Sequence, residues 1–237
     1  MMKHVLGYLR RADEDHGMIR QGDTVAVGVS GGKDSMALLY ALHLYKNFSR
    51  VNYHVRAFTV DLGFEGFDTD VIADYCASLG IPYTVVKTDI ARIVFDVRKE
   101  NNPCALCARM RKGELFNALK TEGLRVCAFA HHREDCLESL LLSMLYEGRM
   151  RTFKPVTELD RKGVTLLRPF IYLPEKEIIS AVRRHNIPVA KNPCPASGST
   201  KREETKGLLK LICQSNPNAR EMIMTALRNV SQYSLFD

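Results

Sequence analysis

Six consecutive residues, Ser30-Gly31-Gly32-Lys33-Asp34-Ser35, bring together two glycines, two hydroxyls flanking them, an ammonium and a carboxylate. They follow the β-branched run Val25-Ala26-Val27-Gly28-Val29 and precede an apolar pattern at helical spacing, so they form the turn between a strand and a helix. The backbone N–H groups of such a turn and the positive end of its helix converge on an anion, of which the phosphates of a nucleotide are the natural example. Paired glycines let the backbone approach a ligand, and Ser30 and Ser35 bracket it with hydroxyl donors. The pattern is not the Walker loop, which separates its first glycine from Gly-Lys-Ser/Thr by four residues. Nor is it the spaced-glycine dinucleotide fingerprint.

Sulfur supplies a second constellation. Asn101-Asn102-Pro103-Cys104-Ala105-Leu106-Cys107 places a CxxC just before a helix rich in basic residues, and Asn192-Pro193-Cys194-Pro195 sets another proline-flanked cysteine far downstream. Two sulfurs three residues apart at a helix start can share one metal centre, and the helix end lowers their thiolate pKa. A CxxC serves as a redox dithiol, half of a zinc site or part of an iron–sulfur site. The redox form follows a strand in a thioredoxin-like unit, which this sequence does not show. A four-cysteine zinc site needs a second CxxC, and there is none. Three thiolates from two loops suit a [4Fe-4S] cluster with one iron left open, or a zinc completed by His or water. The remaining Cys76, Cys127, Cys136 and Cys213 lie inside apolar patterns and read as small core side chains.

The elements that must position these residues alternate between β-rich runs and helical periodicity. That order predicts βαβ units and an α/β fold: a mainly parallel sheet of about five strands flanked by helices, with C-terminal helices. Strands fall at 24–30, 52–60, 83–87, 125–130 and 164–168. Helices fall at 34–47, 69–79, 106–121, 134–147, 175–186, 201–214 and 217–231. The basic stretch 149–163 lacks periodicity and reads as a loop that could move. The chain divides into an N-terminal helical segment at 1–20, a nucleotide-binding α/β domain at 21–172 that carries the CxxC, and a helical region at 173–237 that carries Cys194.

A length of 237 residues suits one large domain with a small appendage. Seven cysteines is an odd count without an export signal, which argues against disulfide scaffolding, and no apolar stretch reaches the ~18–20 residues of a membrane span. A cytoplasmic chain without membrane contact is expected. The net charge is +7, and basic residues cluster at Arg109-Met110-Arg111-Lys112, Arg149-Met150-Arg151, Arg183-Arg184 and Lys201-Arg202; such a surplus favours a polyanionic partner such as nucleic acid. Trp is absent, which leaves base stacking to Tyr, Phe or Arg.

From Val25 to about Val230 the chain resembles the PP-loop (N-type ATP pyrophosphatase) proteins, and within them the tRNA 2-thiocytidine (TtcA) family and its thiouridine-forming relatives. The resemblance rests on the SGGKDS turn, the CxxC and the stretch Ala130-His131-His132-Arg133-Glu134-Asp135-Cys136-Leu137-Glu138-Ser139. Tyr146-Glu147-Gly148-Arg149-Met150, Leu167-Arg168-Pro169-Phe170 and Cys194 extend it. It implies an adenine nucleotide alpha hydrolase-like (HUP/Rossmann-like) sheet. ATP would be held by Ser30, Gly31, Gly32, Lys33, Asp34 and Ser35, a [4Fe-4S] cluster by Cys104, Cys107 and Cys194, and the nucleotide site closed by His131, His132 and Asp135.

The implied reaction is ATP-dependent replacement of a pyrimidine carbonyl oxygen by sulfur, at cytidine 32 of tRNA. Lys33, with Gly31 and Gly32, would neutralise departing pyrophosphate, while Asp34 and Asp135 position Mg2+ or water, Asp34 being equally readable as an acid stabilised by the helix dipole. Asp61, at the end of the second strand, is a nucleotide or metal contact or a turn cap. Arg109, Arg111 and Lys112 would meet tRNA phosphates at the cluster mouth or, equally, form a solvated basic face. The implied partners are tRNA and a sulfur donor such as a cysteine desulfurase or sulfide; a homodimer is one assembly the chain could form, and the sequence does not decide the oligomeric state. Ala130 and Glu134 replace the family's usual Gly and Asp, and Ser197 stands where another Cys is frequent. Rival readings are another PP-loop ATPase, either a lysidine-type tRNA ligase or a small-molecule sulfur-inserting enzyme, and a zinc-stabilised non-catalytic nucleotide-binding protein.

Overall fold

The computed structural model describes residues 2–99, 103–191, 193–195 and 201–229. Asn101, Asn102, Asn192, Ser197 and the end of the helix expected at 217–231 lie outside the described residues.

The chain opens with α1 (Met2–His16), whose Val5, Leu9 and Ala12 form one buried stripe. Strands and helices then alternate: β1 (Thr24–Gly28), α2 (Lys33–Tyr45), β2 (His54–Asp61), α3 (Asp70–Ser78), β3 (Tyr83–Lys87), a π-helical turn (Arg92–Val97), α4 (Pro103–Thr121), β4 (Val126–Ala128) and α5 (Arg133–Glu147). A hairpin follows, of β5 (Val156–Leu159) and β6 (Val164–Leu167), and then α6 (Glu175–Arg184), α7 (Lys201–Ser215) and α8 (Ala219–Arg228). Among the described residues no helix is long and apolar enough to cross a membrane.

One six-stranded sheet runs in the order β3-β2-β1-β4-β6-β5. Every pairing is parallel except β5 on β6, where Val156 faces Leu167 and Leu159 faces Val164. Successive side chains on the strands enter opposite layers. Val25, Val27 and Ala57 pack toward α1, α2 and α6, whereas Ala26, Phe58 and Cys127 pack toward α4 and the π-helical turn. The order reverses between β1 and β4, so the loops after these two strands splay apart and leave a crevice at their carboxyl ends.

The sheet has one strand more than the sequence predicts. β5 lies inside the stretch read as a loop at 149–163, because a four-residue edge strand is paired on one side only and needs no continuous apolar run. A 3-10 turn (Asp160–Lys162) and Gly163, at φ 63°, close the hairpin. α4 begins at Pro103 rather than 106, because proline is preset for the first helical position. The CxxC therefore sits within the first turns of the helix and not before it.

Candidate nucleotide and metal site

The turn after β1 is tied by its own serines. Ser30 N–H donates to Ser35 Oγ at 3.0 Å, and that hydroxyl donates to the Gly32 carbonyl at 2.9 Å. Ser35 is thus spent on shape, while Ser30 is exposed at the turn's surface. Gly32 is the N-cap of α2 and offers no side-chain cap, which leaves the helix's positive end open to an anion. Gly31 sits at φ 81°, and a Cβ there would lie 2.8 Å from Cβ of Ala190. Ala190 N–H donates to the Gly31 carbonyl at 2.9 Å, so a residue beyond α6 clamps the turn. Gly28 is equally constrained: a Cβ would meet the Phe129 ring at 2.6 Å.

Charged groups gather behind the turn. Lys33 Nζ lies 2.8 and 2.9 Å from the two Asp34 oxygens and 2.9 Å from Glu175 Oε1. Burial alone would depress the Lys33 ammonium, but the two carboxylates outweigh it and raise its pKa. After β4, His132 and Asp135 form a reciprocal capping box on α5, with His132 N–H donating to Asp135 Oδ2 at 2.9 Å. Glu134 is buried. Burial would raise its pKa, yet His132 and Arg133 hold it down at about 2. One turn on, burial and the neighbouring Asp135 push Glu138 up to about 7.

His131 stands between the rings of Phe129 and Phe153, at centroid distances of 5.8 and 5.1 Å. Burial is the main force on it and drives its pKa down to about 4, with Asp135 opposing and Arg168, Arg202 and Lys112 assisting. The imidazole is therefore neutral, and its buried Nδ1 has no hydrogen-bond partner among the described residues.

A cavity of about 650 Å³ occupies the crevice. Ser30, Asp34 and Ser35 line one wall, Cys104, Cys107 and Cys194 another, and His131 and Asp135 the end of β4. Arg111, Lys112, Arg168 and Arg202 add cations to it. A second cavity of about 150 Å³ shares Ser30 and carries Gly32, Asp61, Phe64 and Phe67. The structure thus brings together Ser30, Asp34, Ser35, His131, Asp135 and all three cysteines. Asp61 stands apart in the smaller cavity, where its Oδ1 accepts from Gly63 N–H at 2.9 Å and caps a turn. Lys33 and His132 line neither cavity, and nor does Arg109.

Cys104 is exposed, while Cys107 and Cys194 are half-buried. Burial raises the Cys107 pKa, Arg111 lowers it, and the charges of Cys194 and Cys104 raise it further, so the three sulfurs feel one another. Among the described residues no three His, Cys, Asp or Glu side chains converge tightly enough to hold a single ion. A cluster asks for a different arrangement, since each cysteine then ligates its own iron around a cage-sized space. Three thiols spread along the wall of an open cavity fit that requirement.

The sequence reading assigned no role to Glu175, Phe129 or Arg168. Glu175 follows Pro174 at a helix start, where an acid is ordinary, so nothing local marks it.

The profile of a family described as a PP-loop domain matches residues 8–205. The tRNA-cytidine(32) 2-sulfurtransferase of Citrifermentans bemidjiense is 34% identical over 230 residues, spanning 96% of this chain and 90% of the relative. Its counterpart in Pelobacter propionicus is 35% identical over 239 residues, spanning 100% and 88%. Among solved structures, the U34-tRNA thiolase NcsA from Methanococcus maripaludis with its [4Fe-4S] cluster superposes with a TM-score of 0.81 at 24% identity, over 98% of this chain and 79% of that one. That last likeness is one of fold.

Proposed function

The chain belongs to the PP-loop domain family, beside the tRNA-cytidine(32) 2-sulfurtransferases, and from that premise we propose that it thiolates cytidine 32 of tRNA at the expense of ATP. The observation that carries this reading is the shared cavity: the phosphate-binding turn lines one wall and all three candidate cluster ligands line another. Activation of the base and delivery of sulfur can then occur at one bound nucleotide.

A pyrimidine carbonyl oxygen is a poor leaving group. Its attack on the α-phosphorus of ATP releases pyrophosphate and converts that oxygen into part of an AMP ester. Sulfur then forms a bond to the ring carbon, and AMP departs with the oxygen. The open end of α2 and the Gly32 region receive phosphate charge, and Ser30 adds a hydroxyl. Asp34 and Asp135 face the same cavity and are the carboxylates that would hold Mg2+ against the leaving pyrophosphate. Asp61 and the small cavity beside the turn, which joins polar groups to the Phe64 and Phe67 rings, suit the nucleoside end of ATP. Neutral His131, boxed by two rings, is placed to meet a base without adding charge. Arg111, Lys112 and Arg202 present cations where RNA phosphates must arrive. Cys104, Cys107 and Cys194 would hold a [4Fe-4S] cluster, which with three protein thiolates keeps one iron available to exogenous sulfur.

The test is anaerobic purification with iron, acid-labile sulfide and zinc analysis, followed by incubation with unmodified tRNA, ATP, Mg2+ and sulfide. The expected result is about four irons and four sulfides per chain, AMP formation, and 2-thiocytidine in the digested tRNA by mass spectrometry. One zinc, no sulfide and no thionucleoside would overturn the reading in favour of a zinc-stabilised nucleotide binder.

A further inference from the structure

Lys33 belongs to the phosphate-binding turn, yet it lines neither cavity there. Its ammonium is drawn away by Asp34 and by Glu175 Oε1, the latter at 2.9 Å. Glu175 is itself fixed in place. It opens α6, and its backbone N–H donates to the buried Glu134 carboxylate at 2.8 Å. Glu134 in turn accepts from Arg133 Nη2 at 2.8 Å. The other Glu175 oxygen, Oε2, faces Lys206 Nζ on α7 at 3.9 Å. One carboxylate therefore stands between two ammoniums, close to the first and just beyond hydrogen-bond reach of the second.

We propose that Glu175 is the positioning residue of Lys33, holding it in the nucleotide-free protein, yielding it to the triphosphate, and then closing onto Lys206. The inference rests on the reading of the turn as an ATP site. Three physical points support it. A triphosphate carries more charge and more acceptor oxygens than one carboxylate, so it wins the ammonium. Lys33 and Glu175 keep 33% and 22% of their side-chain surface exposed, so water eases the exchange. The carboxylates keep Lys33 charged, so it reaches the phosphates as a cation. The consequence reaches beyond the turn. Residues 185–200, which carry Cys194, join α6 to α7, so a Glu175–Lys206 bond formed on ATP binding tightens the two helices that bracket the third sulfur.

The test measures the affinity of the anaerobically purified full chain for α,β-methylene-ATP with Mg2+, in the wild type, E175Q, K33M and the double variant. E175Q keeps the N–H that Glu134 accepts, so α6 remains capped, and thermal unfolding checks this. The expected result is roughly three- to tenfold tighter binding in E175Q, weaker binding in K33M, and no effect of E175Q in the K33M background. Equal tightening in both backgrounds would mean that Glu175 merely repels phosphate, and weakening in both would mean a structural role. Either outcome overturns the proposal while leaving the ATP site intact. Absence of binding by the wild type would instead sink the ATP reading and this one with it. Hydrogen exchange supplies the second readout: the analogue should slow exchange in α7 of the wild type and not of E175Q. Equal protection in both would overturn the transfer to Lys206.

Discussion

Gly31 shows how one missing side chain shapes the phosphate turn. Its φ of 81° disfavours any side chain, and the Ala190 methyl occupies the space a Cβ would need. Gly163, at φ 63°, has nothing within 4 Å of its virtual Cβ. Gly31→Ala is therefore expected to cost about 2–4 kcal/mol and abolish nucleotide binding, against about 1 kcal/mol and unchanged binding for Gly163→Ala. Chemical denaturation and analogue binding read both. His131 carries a pH signature of its own. Burial holds its pKa at about 4 against an ordinary 6.5, so the unfolded chain takes up this proton before the folded one does. Its contribution to stability should fall as pH drops from about 6.5 to 4, and His131→Phe should remove that part of the decline. Denaturation midpoints at pH 7, 6, 5 and 4 check it, and parallel curves would refute it. The six residues of the turn were legible because strand, glycine pair and helix are local signals. Ala190 was not, since no local pattern says which distant methyl will fill the space beside Gly31.

At the scale of elements, three helices meet on Glu134. It accepts the first N–H of α6 and the guanidinium of Arg133, and Arg133 also reaches Glu221 on α8. Glu134→Ala leaves Arg133, among the described residues, with Glu221 as its carboxylate partner and uncaps α6, and it should cost about 3 kcal/mol, a fall in Tm of roughly 6–12 °C. Because the folded carboxyl is depressed to about 2 from 4.5, its stabilisation is full above about 4.5 and is lost as pH falls toward 2. The alternation of strands and helices was read correctly from periodicity, as was the helical C-terminal region. β5 escaped because an edge strand of four residues leaves too short an alternation to detect. Glu175 escaped for a different reason: its meaning lies in the packing of α6 against α2, and only the fold brings it to Lys33.

For the molecule as a whole, the decisive property is that the glycine turn and the three cysteines open into one space. Cys104→Ala, Cys107→Ala and Cys194→Ala should each abolish iron retention while leaving α,β-methylene-ATP affinity within about twofold, because the turn is tied by its own serines. Iron retained by the Cys194 variant would remove that residue from the site. The proline-flanked cysteines were conspicuous in the sequence, but their shared cavity was not, since Cys194 joins it from the segment that follows α6. The same return of the chain fixes Ala190 against Gly31, through both a hydrogen bond and a packed methyl. That contact has a consequence for biosynthesis. A ribosome must expose residue 190 before the turn at residue 31 has its clamp, so the sheet can form on a nascent chain while the turn after β1 stays unclamped. Residues 190–194 complete both the clamp on the turn and the cysteine lining of the cavity, so under the proposed function a growing chain would be kept from spending ATP before it could deliver sulfur.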